Sequence, residues 1–242
     1  MRIVFLGSSH GVPEPNRRCS SILVEVGESR YFIDMGTQSI EDLATRRIPV
    51  DSVKAIFITH MHGDHTNGLF SFVDLCSWYY KKADPEIFLP EPVSSAVEIF
   101  HSWMKLNGTN MREFRFSPVT EGLLFEDGNV KVTAYKTKHI ANSYAYLFEA
   151  EGKRVLFGGD MSVKGPADDF PFEVLEKPLD LAVCEAAHFA ATDFVPIFEG
   201  KDVKQICMTH YSDRYLASVL ELKAALPDKT VFRTSDNMEI NL

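Results

Sequence analysis

One short stretch, His60-Met61-His62-Gly63-Asp64-His65, holds four side chains able to bind a metal ion. It follows the apolar run Phe57-Ile58, which reads as the end of a strand. Alternate side chains of an extended segment share a face, so His60 and His62 can reach one ion together. Gly63 permits a sharp turn, after which Asp64 and His65 enter the next helix and approach from the other side. Two ligands before a turn and two after it suit a pair of neighbouring cations better than one. His139, Asp160 and His210 lie in matching contexts, each just beyond a strand end, where α/β proteins gather ligand sites. Gly158-Gly159 before Asp160 lets the backbone come close to a neighbour, as a bridging carboxylate requires. The chemistry of such a set is hydrolysis. Two cations about 3.5–4 Å apart hold one hydroxide between them, and coordination brings the pKa of water from about 15.7 to about 7. Mixed His and Asp ligation suits zinc first, and manganese or iron after it, because carboxylates accept harder ions.

Other residues are weighed against the same site. His188, in Cys184-Glu185-Ala186-Ala187-His188-Phe189, follows a strand and is read either as the acid that protonates a leaving alkoxide or as a ring packed under Phe189. With Asp64, it is the residue assigned a catalytic part. Asp34 is read as a carboxylate that orients a ligating imidazole, against the alternative of a plain turn residue. His10 reads as surface loop ahead of a substrate contact, His101 as structural, and Arg17 and Arg18 as exposed loop arginines.

The elements that must position these residues follow from the apolar pattern. Strands are expected at 2–7, 20–26, 30–34, 54–59, 130–136, 144–149, 153–157, 179–184, 204–209 and 230–233. Helices are expected at 38–46, 66–82, 92–106 and 214–226, the last capped by Ser212 or Asp213 and ended by Pro227. Gly27-Glu28 and Glu151-Gly152 suggest hairpins. Mixed sheets covered by helices fit this order better than a purely parallel fold. At 242 residues, 45% hydrophobic and 24% charged, the chain fits one α/β domain over 1–242 with a sizeable core. No run approaches the roughly 20 apolar residues of a membrane span. The start reads as a strand rather than an export signal, and Cys19, Cys76, Cys184 and Cys207 read as reduced thiols, so a cytoplasmic location is expected. The net charge of −9 with only paired basic residues argues against a long nucleic acid partner. It leaves a phosphorylated small molecule possible, because bound cations add local positive charge.

Over nearly its whole length the sequence resembles the metallo-β-lactamase superfamily, in the branch around ribonuclease Z. The resemblance rests on Leu6-Gly7-Ser8-Ser9-His10-Gly11-Val12-Pro13, Cys19-Ser20-Ser21-Ile22-Leu23 and Phe32-Ile33-Asp34-Met35-Gly36-Thr37-Gln38. The ligand motif, His139, Gly159-Asp160 and Thr209-His210-Tyr211 complete it. It implies an α/β fold, a four-layer αββα sandwich with two mixed sheets and the metals at one edge. It further implies that His60, His62 and His139 hold a first metal, that Asp64, His65 and His210 hold a second, and that Asp160 bridges them. Ribonuclease Z carries a long arm between the positions of His139 and Asp160 that grips transfer RNA; here that interval holds a strand hairpin only. The family's His-Ser-Thr segment, expected between Glu185 and His210, is absent as well.

The function these observations favour is a dinuclear-metal hydrolase, a phosphodiesterase for a small or short nucleotide. The alternatives are an ester, lactone, thioester or β-lactam hydrolase, a ribonuclease Z-type tRNA 3′ endonuclease, and a non-catalytic metal-binding module. No membrane partner is expected. A homodimer is possible, because the insert 76–118 carries Trp78, Tyr79, Tyr80, Phe88, Phe100, Trp103 and Phe114, read as core, cleft wall or dimer contact.

Overall fold

The computed structural model describes residues 1–12 and 14–242; Pro13 of the opening motif lies outside them. Strand-forming Val, Ile, Phe and Tyr are spread through both halves of the chain, and two seven-stranded sheets result. The first half supplies β1 (Arg2–Gly7), β2 (Ser21–Val26), β3 (Ser29–Met35), α1 (Ser39–Thr45), β4 (Val53–Phe57), α2 (Gly63–Trp78), β5 (Glu86–Leu89), α3 (Val93–Leu106) and β6 (Arg115–Pro118). The second supplies β7 (Gly122–Glu126), β8 (Lys131–Thr137), β9 (Ser143–Ala150), β10 (Lys153–Phe157), β11 (Leu179–Ala186), α4 (Val195–Phe198), β12 (Val203–Tyr211), α5 (Leu216–Ala225), β13 (Thr230–Arg233) and β14 (Met238–Asn241). One sheet runs β14-β1-β2-β3-β4-β5-β6 and the other β13-β12-β11-β10-β9-β8-β7. Each is mixed, antiparallel through one hairpin region and parallel beyond it.

Strand alternation sorts the side chains into layers. Ile3, Phe5, Tyr31 and Phe57 of one sheet meet Tyr146, Phe148 and Phe157 of the other in a shared core. There Phe57 stacks on Phe88 at 5.0 Å and meets the ring of Phe148 edge-on at 5.4 Å. The opposite faces bury Leu6 and Phe32 under α1, α2 and α3, and Leu156 and Ala182 under α4 and α5. The result is the αββα sandwich. Both expected hairpin turns are present, with Gly27 and the pair Glu151-Gly152 at positive φ.

Two details depart from the sequence reading. Strands β5, β6, β7 and β14 were not expected; they are four or five residues long. Gly63 makes no sharp turn: it opens α2, with His62 extended before it at φ −66 and ψ 150. One glycine that the local geometry demands is Gly36, where a Cβ would lie 1.8 Å from the carbonyl oxygen of Asp64. That close approach presses the start of α2 onto the turn after β3. Among the described residues, no helix is long and apolar enough to cross a membrane.

Candidate metal centre

Strands β3, β4, β8, β10, β11 and β12 deliver their carboxyl ends to one edge of the sandwich, and the seven residues singled out from the sequence converge there. His60, His62 and His139 form one group, and Asp64, His65 and His210 another. His60, His65 and Asp160 form a third that joins them; within each group the ligand atoms lie within 4.8 Å of one another. Asp160 is the hub, 3.1 Å from His210 Nε2, 3.6 Å from His65 Nε2 and 3.8 Å from both His60 Nε2 and His139 Nε2. It reaches that place through Gly159, at φ +61, where a Cβ would sit 2.9 Å from the Tyr144 carbonyl and 3.1 Å from the Thr59 side chain. Here the pair of glycines serves the close approach expected of it.

Ring orientation is set from behind. Asp34, buried and at φ 59, accepts hydrogen bonds from the Thr59 amide at 2.7 Å and from the Thr59 hydroxyl at 2.9 Å, and its Oδ2 lies 2.7 Å from His65 Nδ1. His65 Nε2 is thereby turned toward Asp64 and Asp160. His60 is held the same way, its Nδ1 3.1 Å from the Thr59 hydroxyl and its Nε2 2.9 Å from His62 Nδ1. His139 places Nδ1 3.2 Å from the Met161 carbonyl and Nε2 toward the cluster. An imidazole held through one nitrogen presents the other in a fixed direction, the arrangement a ligating histidine needs. His210 itself takes φ 45 at the end of β12, a conformation rare for a non-glycine residue and common at functional sites.

The electrostatics match a cation site. Burial, and then the neighbouring His65, push His60 down to about 2, so it stays neutral and available as a donor. Burial also lowers His139. Against its own burial, which would lower it, His65 is raised by the carboxylates of Asp34 and Asp160. Asp64 and Asp160 overcome the burial that would raise them and are held below the usual carboxylate range, Asp64 by His65 and Asp160 by His210 and His65. His65 Nε2 and Asp160 Oδ1 are buried without any hydrogen-bond partner. Buried polar atoms are seldom left unpaired; with Asp34 holding the His65 Nδ1 proton, both orphans present lone pairs, and two lone pairs aimed at one point fit a divalent ion between them. The clustered residues therefore fit divalent metal binding.

Glu185 escaped the sequence reading, although its spacing of three from His188 was visible. It is buried, and its Oε2 accepts from the Ala187 and His188 amides and sits 2.7 Å from His188 Nδ1. That hydrogen bond, against burial, raises His188 above the ordinary histidine value. The His188 ring lies 4.7 Å from that of His139, at the rim of the cluster, so it is not simply packed under Phe189. His10 Nε2 lies 3.0 Å from Glu14, and burial followed by His210 lowers its pKa. Its neighbour Gly11 would place a Cβ 3.3 Å from Asp64 Oδ2, so this loop covers Asp64. Arg17 is an internal tie rather than a free loop cation, whereas Arg18 is exposed, as expected, though paired. Arg17 donates to the Tyr211 carbonyl at 2.8 Å and covers the Tyr211 ring at 4.0 Å; Arg18 joins Asp42 at 2.6 Å. His101 is exposed on α3 and belongs to none of the ligand groups.

A model of the family described as "Anti-Pycsar protein Apyc1" matches residues 1–225. A ribonuclease Z of Listeria monocytogenes is 26% identical over 200 residues, 81% of this chain and 64% of the relative. One from Methanocaldococcus jannaschii is 29% identical over 157 residues, 62% of this chain and 47% of the relative. The chain thus spans less than two thirds of the length of these relatives. Among solved structures, human tRNase Z short form superposes with a TM-score of 0.74 at 20% identity, covering 100% of this chain and 99% of that one. The metallo-β-lactamase fold protein YhfI of Bacillus subtilis gives 0.78 at 16% identity, with coverages of 99% and 98%. A diphosphatase of the PhnP family gives 0.71 at 19%, with coverages of 100% and 97%. At these identities the likeness establishes the fold.

Proposed function

The chain belongs to the Anti-Pycsar protein Apyc1 family and to the ribonuclease Z-like branch of the metallo-β-lactamase superfamily, and we propose that it is a dinuclear-metal phosphodiesterase acting on a small cyclic or short nucleotide. The observation that carries this reading is Asp160 standing between a group of three histidines and a group of one aspartate and two histidines, with His188 beside it. His60, His62 and His139 would hold one ion, Asp64, His65 and His210 the other, and Asp160 both. Two such ions, zinc first, supply acidified water as the nucleophile at neutral pH. The chain's own residues do the rest. Asp34 and Thr59 fix the His65 and His60 rings. Glu185 accepts from His188 Nδ1 and favours the imidazolium, whose Nε2 proton would go to the leaving group. Phosphodiester leaving groups are alkoxides that need a proton, and a histidine raised by a carboxylate suits that task. The names of the relatives, ribonucleases and a diphosphatase, support phosphoryl chemistry by analogy.

A substrate of modest size follows from what the chain spends between His139 and Asp160. Ser143–Ala150 and Lys153–Phe157 form a hairpin closed by residues 151–152, which leaves no projecting arm. With the net charge of −9, this favours a small anion held at the metals over a long nucleic acid. The free thiols of all four cysteines agree with a cytoplasmic setting. The single-domain reading of 1–242 is part of this proposal.

The deciding experiment is hydrolysis of bis-(p-nitrophenyl) phosphate beside a lactone, a thioester, a β-lactam and a precursor tRNA. Phosphodiester turnover is expected to vanish with chelator and to return with zinc or manganese. Turnover on the carbonyl substrates alone would move the function to the ester and lactam class, and tRNA cleavage would move it to ribonuclease Z.

A homodimer is part of the same proposal. Trp78, Tyr79, Ile99, Trp103 and Leu106 on and beside α2 and α3 are half or more exposed, whereas Phe88 and Phe100 of the same insert are core. Clustered exposure of this kind marks association surfaces. Light scattering is expected to give twice the chain mass, and Trp103→Glu to shift the protein toward monomer; a monomeric wild type at micromolar concentration would refute it.

A further inference from the structure

We propose that Asp169 is a positioning residue that fixes the separation of the His139 and Asp160 loops and thereby sets metal affinity, an inference that rests on the metal assignment above. The sheet cannot do this job. His139 follows β8 and Asp160 follows β10, and both strands hydrogen-bond to β9, which lies between them. Beyond the strand ends the two loops must be joined by something else.

Asp169 joins them. Its Oδ1 accepts the Lys138 amide at 2.6 Å, one residue before His139, and its Oδ2 accepts the Ser162 amide at 2.7 Å, two residues after Asp160. The side chain is buried, and among the described residues it makes no ion pair; the Lys138 ammonium goes instead to the Asp168 carbonyl. Burying a carboxylate without a cation is costly unless its oxygens are fully used. Here each oxygen takes one backbone N–H. An amide side chain of the same shape has one acceptor and would turn its NH2 against the second donor. Asp169 is in turn anchored: its amide donates to the Pro166 carbonyl at 3.0 Å, and the adjacent Phe170 ring packs against Phe198 at 5.4 Å in the outer layer. The tie from His139 Nδ1 to the Met161 carbonyl completes the clasp from the other side.

The test is zinc affinity by chelator competition on wild type, Asp169→Asn, Asp169→Glu and, as a control, Asp180→Asn, with thermal unfolding of each metal-free protein. Asp180 is also buried and accepts the Arg154 amide at 3.0 Å and the Lys204 ammonium at 2.8 Å, at the end of β10 and β11 opposite the ligands. Asp169→Asn is expected to weaken zinc binding by about tenfold to a hundredfold, while Asp180→Asn lowers the melting temperature and keeps wild-type affinity. Asp169→Glu retains the charge and both acceptors but lengthens the arm, and is expected to weaken zinc in the same direction; it decides the matter if the asparagine variant does not fold. Wild-type zinc affinity in a folded Asp169 variant, or an equal loss in Asp180→Asn, would overturn the clasp. A wild type that binds no zinc would overturn the metal assignment itself.

Discussion

Asp64→Ala is expected to fold, to retain one of two metals and to lose turnover. Asp64 stands in the first turn of α2 and touches the cluster from one side only, 3.2 Å from His65 Nε2 and 3.8 Å from His210 Nε2. Removing it dismantles the Asp64, His65 and His210 group and leaves His60, His62, His139 and Asp160 in place. The cost to the fold is small: a carboxylate near a helix N-terminus contributes about 0.3–1 kcal/mol, and the core beneath is untouched. Metal analysis and turnover on bis-(p-nitrophenyl) phosphate check this together. A folded variant that keeps full activity would end the two-metal reading, whatever its metal content.

For His188→Ala the informative quantity is a ratio. A p-nitrophenolate departs without a proton, whereas a nucleoside alkoxide requires one. General acids contribute about 10²–10⁴-fold where they act, so the variant is expected to lose that factor on a nucleotide and at most a few-fold on the activated ester. Glu185→Gln is expected to lower turnover on both substrates as well, since its Oε1 accepts the Met161 amide beside Asp160 and a glutamine cannot accept at both ends. Equal losses on both substrates in His188→Ala would retire His188 as the acid and leave it a binding residue.

Much of this centre can be read in the sequence because its densest part is local. His60, His62, Asp64 and His65 sit on one strand end and one helix start, and the residue types alone announce a metal. His139, Asp160 and His210 are visible only through their strand contexts, yet each strand end did lead to the edge where they meet. The positioning carboxylates behave differently. Asp169 and Asp236 act on backbone amides far along the chain, as with the 228 residues from Ser8 to Asp236, and a backbone amide carries no signature in sequence. The strands that escaped notice fail for a related reason. Arg115–Pro118 and Met238–Asn241 are short edge strands with one face to solvent, so their apolar content falls below what a run of strand formers requires. Gly63 shows the opposite error, a residue type read for conformational freedom in a place where the helix needed none.

The pairing of β1 with β14, in register from Arg2 against Asn241, has a consequence for how the molecule comes into being. Contacts between residues so distant in sequence form slowly, because loop-closure entropy is spent before they reward it. During synthesis the last of the seven candidate ligands, His210, emerges before β14 does. The ring of ligands can therefore close while the first sheet still lacks its edge strand and Asp236 has yet to secure Ser8 and Arg18. On the proposed ligand set, metal capture would be separable from completion of the fold, and an ion arriving early would find its ligands before the loop over Asp64 is fastened.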